Sequence, residues 1–164
     1  MKFLETIYLQ YLLETALAVC LLLPWLKRKP PRRLLVVIAA LNALRFGGAF
    51  AALAALHGSP APAALFQVAI GDGLTACMAV AALVLLVRTS ELGLRAATLM
   101  NCVGLVDILV SEAWLGHLEL TGAITRTSIL HGPTIGAALY SALHVVAFYS
   151  IDREYADRSG ARLR

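Results

Sequence analysis

Charge is what this sequence has least of. Only 15% of its 164 residues are Asp, Glu, Lys or Arg, against roughly 25% in a typical soluble domain. Hydrophobic residues make up 60%, and the mean hydropathy is +0.78. A soluble core of this chain length cannot take up so much apolar surface without leaving long uncharged runs in water. The composition therefore excludes an ordinary water-soluble domain and makes lipid the expected solvent. Cysteine is scarce too: Cys20, Cys77 and Cys102 stand singly in apolar runs, with no CxxC and no CxxCH. A disulfide framework, a zinc ribbon and a covalent c-type haem are excluded on that ground, and the thiols are expected to pack as small buried hydrophobes. Catalytic signatures are also missing: there is no GxSxG, HExxH, P-loop or dinucleotide fingerprint. The loops are too short for a separate catalytic domain, so an enzyme is not expected.

What is present is a series of long apolar runs. About 20 residues at 1.5 Å rise cross a hydrocarbon core of roughly 30 Å. On that measure the sequence predicts five spans, at about residues 3–26, 34–56, 64–87, 96–118 and 131–151, within one transmembrane domain 1–151. A charged tail, 152–164, follows. Adjacent Pro30 and Pro31 end the first run and separate it from the second. Trp25 and Trp114 fall near run ends, as aromatic belts do. The expected fold is an all-α polytopic bundle. The N-terminal run is read as a retained helix: Glu5, Gln10 and Glu14 interrupt what a cleaved leader would keep apolar, and Val19 before Cys20 is a poor lipoprotein site.

The net charge of +4 would raise nucleic-acid binding in a soluble protein. Here the basic residues are concentrated in Lys27, Arg28, Lys29, Arg32 and Arg33, between two apolar runs. Anionic lipid head groups are the expected partner of that cluster, and nucleic acid is not. The same cluster, Arg88 and Arg95, and the basic tail place three segments on one side, which makes that side cytoplasmic. The expected orientation has the N-terminus outside and the C-terminus in the cytoplasm.

The residues that carry information about function are those that lipid does not tolerate. An Asp or Arg at a helix centre costs about 2.5 to 3.5 kcal/mol on the insertion scale, so Glu14, Arg45, Asp72 and Asp107 must face one another or a cavity. Counted from the outer run ends, Glu14, Arg45 and Asp107 fall at a depth of about 16 Å, Asp72 at about 12 Å and His144 at about 20 Å. Each expected span thus contributes one ionisable group to a common layer. Asn42 lies one turn from Arg45, and Ser111 and Tyr140 stand one turn from Asp107 and His144. Three acids share one fixed cation and one imidazole. Such a layer does not stay fully ionised in low dielectric, so Arg45 is expected to pair with one acid and another acid to carry a proton.

Of four histidines only His144 is deep; His57, His117 and His131 fall near run ends, where solvation accounts for them. No metal site and no cofactor are expected, with haem or quinone at His144 the redox alternative. Four stretches, Leu44–Gly48, Gly71–Gly73, Asn101–Asp107 and Leu143–His144, together resemble a group of small uncharacterised bacterial integral membrane proteins. The resemblance covers residues 44–145 and implies no activity or cofactor. It adds weight to the polar positions. The expected role is binding, or proton-linked translocation, of a small polar solute at Glu14, Asn42, Arg45, Asp72, Asp107 and His144, in a multi-pass protein of the bacterial inner membrane. In that role Arg45 anchors an anion or carboxylate. The rival expectations are an accessory subunit whose polar layer is packing glue, alone, as a homo-oligomer or with a membrane partner, and a redox subunit.

Overall fold

The computed structural model describes residues 2–48, 52–53, 56–57, 62–88, 90–120 and 128–162, and over these the chain is all-α, with no strand. The helices are α1 (Lys2–Leu26), α2 (Pro31–Ala43), α3 (Pro62–Val87), α4 (Glu91–Leu120) and α5 (Ser128–Arg162), with a 3₁₀ turn, Leu44–Gly48, continuing α2. Pro31 occupies the first turn of α2, where a missing N–H is no loss. At the start of α4 the Ser90 hydroxyl accepts a hydrogen bond from the Leu92 N–H (3.1 Å), a local cap.

α3 and α4 form a helical hairpin, α1 lies on α5, and α2 packs on both α3 and α5. The turn at Leu44–Gly48 rests on α3. Leu35, Ile38, Leu86, Leu94, Met100 and Val146 are fully buried among Ala39, Ala79, Ala82, Ala97 and Ala147. Alanines at these contacts let the helix backbones approach closely. The pattern is inside-out: Asn42, Arg45, Thr75, Asn101, Asp107, Glu112, Ser141 and His144 are buried, whereas Leu13, Leu17, Leu21, Ile70, Leu74, Val87, Leu99 and Val106 are at least half exposed. An apolar exterior over a polar interior is what a lipid solvent selects.

The expected five spans and the orientation built on them are not what the chain forms. Among the described residues only two helices are long and apolar enough to cross a membrane: Leu65–Val87, with mean hydropathy 2.2, and Glu91–Trp114, with 1.5. The second expected span is not among them: α2 gives 13 residues of α-helix, about 20 Å, before passing into the 3₁₀ turn Leu44–Gly48. Residues 49–51 and 54–55 of that span lie outside the described residues. In α1 the described side chains give a shorter apolar stretch, Tyr11–Pro24, and residues 3–10 and 25 of the first expected span lie outside them. The fifth expected span, 131–151, lies partly outside the residues whose side chains are described, and from Gly136 onward α5 reaches Asp152 and Arg153 within 18 residues. With two candidate spans in place of five, the argument for termini on opposite sides loses its basis. Two such helices support membrane association in general. The cysteines also depart from expectation, since all three are exposed on outer helix faces, where a small apolar thiol suits an apolar surrounding equally well.

Candidate functional site

Arg45 is the centre of the site. It sits in the 3₁₀ turn that ends α2, with its side chain only 5% exposed. Its Nε donates to Asp72 Oδ1 at 2.6 Å and its Nη2 to Asp107 Oδ2 at 2.5 Å. One guanidinium therefore joins α2, α3 and α4. Charge-assisted bonds of this kind are roughly twice as strong as neutral ones. The guanidinium carbon stands 5.4 Å from the Tyr140 ring centroid on α5, within cation–π range. The Tyr140 hydroxyl donates to the Leu41 carbonyl (3.4 Å) near the end of α2, which also accepts a backbone N–H at the C-cap. The third nitrogen, Nη1, is buried without a hydrogen-bond partner.

Two glycines make the triad sterically feasible. A Cβ on Gly71 would overlap the Asp107 carboxylate, and one on Gly48 would overlap that of Asp72. Gly73, on the other side of Asp72, has nothing within 4 Å of such an atom. A cavity of about 320 Å³ adjoins the triad, lined by Arg45, Asp72, Ser111, Glu112 and Tyr140 with apolar walls at Val68 and Ile108.

The remaining expected residues do not join it. Asn42 is fully buried, but its Nδ2 donates to the Ile38 carbonyl of its own helix (3.0 Å) and its Oδ1 has no partner. His144 belongs to a second cluster. Its Nδ1–H donates to Asn101 Oδ1 at 2.6 Å, an assignment set by Asn101 Nδ2, which donates to the Ala97 carbonyl. With Nδ1 engaged by Asn101, Nε2 is left buried without a partner, packed against Gly104. Glu14 is half-buried on α1 and near enough to Glu112 for the two carboxylates to repel. The common layer is thus an Arg–Asp–Asp triad, a His–Asn pair and a Glu–Glu approach. Tyr11 of α1 and Ser141 of α5 are joined by a short hydrogen bond.

Glu112 was not among the expected site residues. It lies five positions after Asp107, off that residue's face, and carries no sequence cue except being an acid in an apolar helix. Of the expected head-group residues, Arg28, Lys29 and Arg33 are exposed, and Lys27 is exposed over the Tyr149 ring. Arg32 turns inward: its Nε and Nη2 donate to the Leu86 carbonyl at 3.1 and 2.7 Å. The Glu119–Leu130 connection, including Arg126, lies largely outside the described residues. Among the described residues no group of three or more His, Cys, Asp and Glu is placed to hold a metal ion.

Comparison with known proteins gives a family match. The family model described as a domain of unknown function, DUF8737, matches residues 2–151. No curated protein and no solved structure matches the chain.

Proposed function

The chain belongs to the DUF8737 family, and we propose that it is a membrane-associated protein that binds a small polar solute in the cavity beside Arg45. The observation that carries this reading is the cavity of about 320 Å³ lined by Arg45, Asp72, Glu112 and Tyr140, at the lower end of the range for small-molecule sites. Its chemistry is two-sided. Arg45 has a spare N–H edge at Nη1, while Asp72 and Glu112 supply carboxylates. The guanidinium charge is already matched by two aspartates, so a simple anion gains little there. A zwitterion or an amide, offering an acceptor to Nη1 and a donor to a carboxylate, satisfies both. In the translocation form of this reading Glu112 exchanges the proton, since among the described residues no cation pairs with it. In this reading α3 and α4 cross a bacterial inner membrane as a hairpin, with Arg28, Lys29 and Arg33 at anionic head groups.

A second reading is favoured by Arg45 holding both aspartates, which is what a packing clamp does. The two separate in one experiment: calorimetry and thermal unfolding of the full chain in nanodiscs with alanine, methylurea, propionate and propylammonium. Alanine or methylurea is expected to bind, and at a hundred times Kd to stabilise by about 2.7 kcal/mol. Propionate and propylammonium are expected to bind more weakly, and Glu112→Gln and Tyr140→Phe to weaken binding in a folded protein. If no probe stabilises the wild type and Arg45→Gln unfolds it, the clamp reading stands.

A further inference from the structure

The Arg45 triad has a second face, away from the cavity. Between α3 and α4, on their outward side, runs a groove of about 430 Å³ whose walls include Ile70, Leu74, Val106 and Val110. All four are 40 to 69% exposed. Asp107 lines the same groove, and its Oδ1 lies against Gly71, another lining residue. Only a glycine at position 71 lets that carboxylate come so close to the groove wall.

The charge count gives this arrangement its meaning. Arg45 is shared by Asp72 and Asp107, so with both aspartates ionised, and the layer's proton on another acid, one positive charge serves two carboxylates and the triad holds one negative charge in excess. An apolar trough with a carboxylate at its base is complementary to one kind of molecule, an amphiphile with a cationic head on an apolar stem. A fatty anion meets repulsion there, and a neutral alkyl chain gains the walls but not the charge. We propose that this groove binds lipophilic amines or quaternary ammonium ions from the side, with Asp107 as their counter-charge. The proposal goes beyond the cavity reading and shares with it only the triad.

The test is photolabelling of the full chain in phosphatidylcholine nanodiscs with a diazirine-bearing octyltrimethylammonium, the adducts being mapped by mass spectrometry. Adducts are expected to concentrate on residues 67–74 and 102–110, to be competed by plain octyltrimethylammonium, and not to be competed by octyl sulfate. Asp107→Asn is expected to lower groove labelling by about tenfold or more, the loss of one charge-assisted contact. Leu74→Trp fills the groove while leaving the carboxylate in place, and is expected to do the same, so the proposal stays testable if Asp107→Asn does not fold. Labelling spread evenly over the outward apolar faces, or equal labelling by a neutral octyl probe, overturns it. Solute binding in the cavity is read separately by calorimetry, so either site fails without the other.

Discussion

Gly71 and Gly73 flank Asp72, yet only one of them is required by packing. A Cβ at Gly71 overlaps the Asp107 carboxylate, while the same atom at Gly73 meets nothing within 4 Å. Gly71→Ala is therefore expected to destabilise by about 1–3 kcal/mol, the usual cost of overpacking. Gly73→Ala is expected to stabilise by about 0.5–1 kcal/mol, through helix propensity alone. Unfolding of both variants in mild detergent checks the pair, and equal effects would disprove the packing assignment. The acids and the arginine were legible at this scale, because a charge inside an apolar run needs a partner. Their partition was not. Periodicity places a residue on a face but gives neither the rotation of one helix against the next nor the tilt that sends His144 to Asn101 instead of Arg45.

At the scale of the element, the break after Ala43 is the feature the sequence hides. Apolar residues continue on both sides of Asn42, at Leu41, Ala43 and Leu44, and no proline marks the stop; the cues are Asn42, Arg45 and Gly47–Gly48. The break is fixed by tertiary contacts, with Arg45 pulled inward to two aspartates and Tyr140 bonded to the Leu41 carbonyl. The helix boundaries set by Pro30 and Pro31 were legible because those signals are local, whereas α4 begins at Glu91 and not at the expected 96. Arg32 shows the same limit. Written among four other cations, it reads as a head-group contact, but it closes the last turn of α3 through the Leu86 carbonyl and reaches Glu154 at 3.6 Å. A cation at a helix C-terminus is favoured by the unpaired carbonyls there. Arg32→Ala is expected to cost about 1–2 kcal/mol in the same unfolding assay, and Arg32→Lys to recover only part of it, because an ammonium cannot make the forked contact.

For the whole molecule, the consequence of an apolar exterior is a choice of solvent. Val80, Val84 and Val87 on α3 and Leu92, Leu99 and Val106 on α4 are exposed. The chain is expected to stay with membranes through alkaline carbonate washing. Val80→Arg, which costs about 2.5 to 3.5 kcal/mol near a span centre, is expected to lower the membrane-bound share, and recovery of the wild type in the soluble fraction would refute the assignment. The class of solvent was legible from composition. The number of crossings was not, since hydropathy of a run does not reveal where a helix stops. The triad, finally, bears on how the chain closes on itself. Arg45 is 27 residues from Asp72 and 62 from Asp107, and closure entropy grows only as the logarithm of loop length, about 0.6 kcal/mol per doubling. Reaching the far aspartate thus costs little more than reaching the near one, and less than the roughly 1.5–3 kcal/mol a charged hydrogen bond returns. Arg45 therefore has no entropic reason to settle for its nearer partner, and a single side chain ties together segments that the chain makes far apart.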